Sequence, residues 1–228
     1  MKIKLFTIPN ILTLGNLLSG CASALFALCV NDLSWAFWCL VIAAVFDFLD
    51  GFAARLLHAP SAIGKELDSL ADMVSFGFAP SAILYTMHAS AGGSDLWGFA
   101  VFLVAAFSAL RLAKFNIDES QTEQFIGLPT PACALFFASS GYLWQAGAFT
   151  VAPWAIVAAA WVFAVLLVCN VPMFALKFKH YGWAGNELRY VFLLLSAVAL
   201  ALLGIAAVPF IFIAYVAVSV VRHWFFRK

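Results

Sequence analysis

Charge is the scarcest commodity in this chain. Aspartate, glutamate, lysine and arginine make up 10% of its 228 residues, against about 25% in a typical soluble domain. With 65% hydrophobic residues and a mean hydropathy of +1.03, the composition excludes a water-soluble globular protein. The net charge of +1 gives no electrostatic footprint for a nucleic-acid partner. The five cysteines lie in apolar stretches, match no metal-ligand spacing and are odd in number, so they read as small packing residues. No cleavable leader is recognisable: Lys2 and Lys4 are present, but no small-residue cleavage site follows a short apolar core. Low-complexity tracts and internal repeats are also lacking.

What the chain has is long apolar runs. A membrane span needs about 20 such residues. Reading between charges and turn residues predicts about eight spans, at 11–30, 34–57, 66–88, 96–115, 130–147, 152–171, 189–204 and 207–224. Backbone polar groups in lipid must be satisfied internally, so the expected fold is an all-α polytopic bundle. It forms one integral membrane domain over residues 1–228, with residues 1–8 as a short interfacial segment. The twelve basic residues are Lys2, Lys4, Arg55, Lys65, Arg111, Lys114, Lys177, Lys179, Arg189, Arg222, Arg227 and Lys228. With eight spans, all of them fall on the side of the N-terminus. The positive-inside rule then places both termini in the cytoplasm and the chain in the cell (inner) membrane.

Against this background four aspartates stand out. Asp47 and Asp50 are three residues apart at the end of the second run, and Asp68 and Asp72 are four apart in the third. Each pair shares a helix face, and the short turn between the runs makes the two helices antiparallel neighbours with their carboxylates at one depth. An ionisable group in a span costs roughly 2.5–3.5 kcal/mol on insertion scales, and four carboxylates this close need a cation to stay ionised together. Hard oxygen ligands select Mg²⁺ or Mn²⁺, with Ca²⁺ as a further occupant. A pair of such ions is a standard clamp for displacement at phosphorus. Two alternatives remain at this point. The aspartates pair with Arg55 and Lys65, or the chain is an ion-coupled membrane transporter; a transporter requires charged groups spread across the membrane, and the first run carries none and the last only Arg222 at its end.

The string from Asp47 to Asp72, Asp-x2-Asp-Gly-x2-Ala-Arg-x8-Gly-x3-Asp-x3-Asp, resembles the signature of the CDP-alcohol phosphotransferase family at every specified position. The resemblance implies an integral membrane enzyme with a six-helix core, here with two further helices, and a homodimer. It transfers a phosphoalcohol or phosphatidyl group from a CDP-linked donor to an alcohol and releases CMP. It also implies roles for particular residues. Asp47, Asp50 and Asp68 would be metal ligands, and Asp72 would touch a second ion and serve as general base. Gly51, Arg55 and Ser61 would contact the cytidine diphosphate moiety, and Asn10 and Thr13 would add to that pocket. Further strings extend the likeness to the branch that joins CDP-diacylglycerol to L-serine: Ile8-Pro9-Asn10-x2-Thr13-x2-Asn16, Ser75-Phe76-Gly77-x-Ala79-Pro80, Arg111-x2-Lys114-Phe-Asn116 and Gly127-x-Pro129-Thr-Pro131.

Serine needs partners for its carboxylate and ammonium. Ser75, Arg111, Lys114 and Asn116 are the candidates by depth. Arg111 and Lys114 either read a carboxylate or phosphate or anchor the helix end at the interface; Ser75 either lines the pocket or packs helices. Another acceptor alcohol, glycerol 3-phosphate or inositol phosphate, stays open, although a phosphorylated acceptor calls for more cations than Lys65, Arg111 and Lys114.

Overall fold

The computed structural model describes residues 5–59, 61–117, 125–173, 182–183 and 186–225. Pro60 of the turn after the second run, and the basic residues Lys2, Lys4, Lys177, Lys179, Arg227 and Lys228, lie outside the described residues.

Helix α1 (Ile8–Leu25) starts where Thr7 Oγ1 accepts from the Asn10 amide and Pro9 occupies the first turn, and a π-helical turn (Phe26–Val30) continues it. Asn31 then takes a left-handed backbone conformation (φ 60°), and Asp32 caps α2 (Leu33–Leu56) through the Ser34 and Trp35 amides at 3.0 Å each. Ser61 caps α3 (Ala62–Asp72) through the Gly64 amide at 3.0 Å. A second π-helical turn, Met73–Phe78, joins α3 without a break to α4 (Ala79–Ser90). The short α5 (Asp95–Gly98) runs through a 3₁₀ turn into α6 (Leu103–Ile117). Strand β1 (Phe125–Ile126), α7 (Thr130–Gln145), α8 (Pro153–Val168), strand β2 (Pro172–Met173), α9 (Glu187–Leu203) and α10 (Ala207–Phe225) complete the described chain.

The architecture is helical, as expected, apart from one two-residue antiparallel pairing, Phe125 with Met173 and Ile126 with Pro172. It joins the segments after α6 and α8, where backbone groups at the helix ends need partners. Among the described residues, five segments are long and apolar enough to cross a membrane: Ile8–Val30, Leu33–Leu56, Ala62–Ser90, Asp95–Ile117 and Glu187–Arg222. The last is not one rod. Gly204 (φ 57°) reverses the chain, and Phe192 of α9 meets Tyr215 of α10 with ring centroids 6.1 Å apart. Helices α7 and α8 have 16 residues each, roughly 24 Å at 1.5 Å per residue. Five segments therefore satisfy the length criterion where eight were expected.

Alanine dominates the core. Ala27, Ala36, Ala43, Ala79, Ala82, Ala134, Ala138 and Ala160 are fully buried, and small side chains let helix backbones approach closely. Leu18, Phe48, Leu194 and Phe210 point outward and are each more than 60% exposed, a pattern suited to lipid rather than water. Helix α1 lies along α2 and also touches α3 and the second π turn. This places the N-terminal half of α1 across the last turns of α2 and the whole of α3.

Candidate active site

Polar residues on α1 recur every three positions, at Asn10, Thr13 and Asn16, on the face turned toward α2 and α3; all three are buried. Opposite them, α2 brings Asp47 and Asp50 and α3 brings Asp68 and Asp72. Carboxylate oxygens of Asp47, Asp50 and Asp68 lie within 4.8 Å of one another. Thr13 Oγ1 donates to Asp50 Oδ2 at 2.6 Å. Its contact with the Pro9 carbonyl is longer, 3.0 Å, and a hydroxyl has one proton to give, so the carboxylate takes it. Asp72 is not a member of the three-oxygen group. It lies one turn further along α3, where its Oδ1 accepts from Asn16 Nδ2 at 3.1 Å. Asn16 is held in turn by Ser75, whose Oγ donates to the Asn16 carbonyl at 2.9 Å.

A cavity of about 250 Å³ opens beside the three aspartates. Asn10, Thr13, Gly51 and Ser61 line it together with Asp50 and Asp68, so four of the five residues expected at the nucleotide share one wall. The fifth, Arg55, is exposed and is not among the lining residues; Lys65 is. Two glycines show what their small size serves. A Cβ at Gly20 would sit 2.6 Å from Ser75 Cα, so that glycine lets α1 touch the π turn. A Cβ at Gly51 would meet nothing within 4 Å. No neighbouring helix requires Gly51 to be small, and it leaves open space on the cavity wall.

This site fits a divalent cation. It offers three hard oxygen donors at coordination spacing, one of them oriented by a hydroxyl. Pairing with nearby cations does not account for the cluster. Lys65 Nζ donates to the Asn116 carbonyl at 2.8 Å, and the Arg55 side chain is exposed.

The four residues expected on the acceptor side separate. Arg111 is 9% exposed and donates from Nη1 to Thr130 Oγ1 at 2.8 Å, so it faces into the bundle rather than snorkelling. Lys114 is exposed and reaches Asn170 Oδ1 at 3.3 Å. Asn116 links α6 to α3 through Nδ2, which donates to Ser69 Oγ at 2.8 Å. Ser75 is fully buried and engaged with Asn16.

Sequence reasoning quoted Asn16 and Thr130 inside longer strings but gave neither a role. Asn16 had a signal, being the third member of the polar stripe on an apolar helix. For Thr130 spacing gives no signal, because its partner is 19 residues away in the sequence.

The family model for CDP-alcohol phosphatidyltransferase matches residues 6–178, which contain the whole site and exclude the α9–α10 hairpin. The chain is 38% identical over 127 residues to a CDP-diacylglycerol–serine O-phosphatidyltransferase of Bacillus subtilis, covering 54% of this chain and 69% of that one. It is 38% identical over 134 residues to the protein of that name from Helicobacter pylori J99, covering 58% of this chain and 55% of that one. A Mycobacterium bovis protein of the same name is 29% identical over 232 residues, covering 97% of this chain and 78% of its own length.

Proposed function

We infer the reaction from one premise: the chain belongs to the CDP-alcohol phosphatidyltransferase family. On that premise it makes phosphatidylserine and CMP from CDP-diacylglycerol and L-serine. The observation that carries the reading is the convergence of Asp47, Asp50 and Asp68 beside a cavity lined by Asn10, Thr13, Gly51 and Ser61. The names of the similar proteins support serine as the acceptor.

In this reading Asp47, Asp50 and Asp68 would hold Mg²⁺ or Mn²⁺, and Asp72 would contribute to a second ion. When bound, the ions neutralise the donor's diphosphate and polarise the phosphorus. The remaining work falls to the chain. The open wall at Gly51 admits the nucleotide, Ser61 and Asn10 border it, and Arg55 meets a phosphate from outside with its planar fork. Asp72 takes the proton of the serine hydroxyl as it attacks, and Asn16 fixes which carboxylate oxygen is free to do so. Arg111, with Lys114 and Asn116 nearer the helix end, meets the acceptor's carboxylate. Positioning and electrostatics thus carry the catalysis.

The chain forms one membrane domain with eight crossings, in which α7 and α8 span with the aid of their flanking residues. Both termini and the active site face the cytoplasm, the donor's acyl chains stay in lipid, and two copies form a homodimer. The transporter alternative is disfavoured by where the buried charge lies. Asp50, Asp72 and Arg111 all sit at one end of the bundle, while at the other His88 is fixed between the carbonyls of Pro153 and Ser94, 3.1 Å from each.

The test is CMP release by purified protein supplied with CDP-diacylglycerol, Mg²⁺ or Mn²⁺, and a panel of alcohols. Serine should support turnover. Release with a different alcohol alone would overturn the acceptor assignment, and release with none would overturn the transferase reading.

A further inference from the structure

Among the described residues three buried polar side-chain atoms have no partner: Ser108 Oγ, and two of opposite kind on the helices around Asp72. Asn16 is fully buried; its Nδ2 is engaged by Asp72, but its Oδ1 accepts from nothing. Arg111 is 9% exposed; its Nη1 is engaged by Thr130, but its Nε donates to nothing. An unpaired polar atom in a buried position is costly and calls for an explanation.

Fold geometry brings both side chains to the segment that carries Asp72, Asn16 in direct contact with it and Arg111 from a helix packed on the next turn. Asn16 comes from α1, which packs on α3 and on the π turn after Asp72. Arg111 comes from α6, which packs on that π turn from another side and runs antiparallel to it, so that Gly77 lies against Ser108 and Arg111 falls one turn nearer the level of Asp72. Asp72 is thus flanked by a hydrogen-bond acceptor on one helix and a donor on another.

We propose that Asn16 Oδ1 and Arg111 Nε are two arms of a three-point acceptor pocket: Asn16 receives the ammonium and Arg111 the carboxylate of an amino-acid alcohol whose hydroxyl faces Asp72. The proposal rests on the reading in the preceding section and extends it to the recognition of the zwitterion. Each orphan atom gains the partner it lacks, and the complement required is the one L-serine carries: a donor cation, an acceptor anion and a hydroxyl on adjoining carbons. Asn16 then has two functions on one amide. Its NH₂ positions the base and its carbonyl reads the substrate. Thr130 is a positioning residue that holds the guanidinium. Three attachments around one chiral carbon also demand handedness.

The experiment measures KM for L-serine, KM for CDP-diacylglycerol and the L- to D-serine ratio of kcat/KM in full-length wild type, Asn16→Ala, Asn16→Asp and Arg111→Gln. Loss of a buried charge-assisted contact predicts that Asn16→Ala and Arg111→Gln each raise the serine KM by about tenfold or more, lower the L to D ratio and leave the donor KM within about twofold. Asn16→Asp keeps an oxygen for the ammonium but removes the donor to Asp72, so its loss falls on kcat and not on the serine KM. A serine KM and L to D ratio that stay at wild-type values in Asn16→Ala or Arg111→Gln overturn the pocket while leaving the transferase reading intact. Wild-type enzyme that releases no CMP with serine overturns the reading itself. Should Arg111→Gln not fold, Thr130→Val, which removes only the brace, is judged by the same criteria.

Discussion

Thr13→Val isolates one contact at the centre of the site. The substitution preserves side-chain shape and removes a single hydroxyl, which donates to Asp50 Oδ2 at 2.6 Å between residues 3% and 6% exposed. A hydrogen bond to a charged acceptor contributes about 1.5–3 kcal/mol. If that energy serves to orient Asp50 toward Asp47 and Asp68, its loss weakens the binding of a divalent cation. At 1.4 kcal/mol per factor of ten, the expected rise in Kd is roughly 10-fold to 100-fold, matching the usual cost of removing the group that orients a metal ligand. The contact with the Pro9 carbonyl disappears as well, but that carbonyl's place in the helix ladder does not depend on the threonine. The assay is Mn²⁺ titration of purified protein, followed by the paramagnetic signal of free Mn²⁺ and, separately, by CMP release. Both curves should shift together. A Mn²⁺ Kd unchanged in the variant would refute the assignment of Asp50 as a ligand held by Thr13.

Three further outcomes follow from other contacts. Asp72→Asn should retain Mn²⁺ at the Asp47–Asp50–Asp68 group, which Asp72 lies outside, and weaken only a second ion, while kcat falls about 10²–10⁴-fold, the usual contribution of a general base; wild-type turnover in this variant would remove Asp72 from that role. Gly20→Ala should lower the melting temperature at a cost of about 1–3 kcal/mol through overpacking against Ser75, and adding Ser75→Gly should restore part of the loss. His88→Ala breaks the bridge from α4 to the Pro153 and Ser94 carbonyls, far from the aspartates, so stability should drop by about 2 kcal/mol or more with both substrate KM values unmoved. A change in either KM would show that the two ends of the bundle are coupled.

Some of this site could be read directly from spacing. Asp47 and Asp50 lie on one face because three residues make most of a helical turn, and the short connection after α2 returns α3 beside it, so a meeting of both pairs follows from local geometry. The family resemblance separated Asp68, a ligand, from Asp72, the base, whereas spacing alone did not, since four residues also keep one face. Spacing also missed that α1 divides them, with Thr13 turned toward the metal-ligand group and Asn16 toward Asp72. Residues joined only by tertiary packing were illegible. Lys65 and Ser69 meet Asn116 from 51 and 47 positions away, and Arg111 reaches Thr130 from 19 positions away. Hydropathy marked α7 and α8 as spans because apolar runs extend past their ends, whereas Pro153 and the turn after Gln145 limit each helix to 16 residues.

The π turn at Met73–Phe78 has a consequence for how this span tolerates change. A wider turn accommodates one residue more than α-helical geometry would, so the segments on either side of it follow different helical phases. Before the turn, the phase aims Asp68 and Asp72 at α1 and α2; after it, a second phase aims Ile83 and Met87 into the apolar core. Removing one residue from the turn would convert it to an ordinary α turn and leave the two halves facing as they do, whereas the same deletion in α3 or α4 would rotate one half against the other by roughly 100°. The chemical half and the packing half of Ala62–Ser90 can thus each accept substitutions separately, and the turn is the one place in the span where the loss of a residue is absorbed locally.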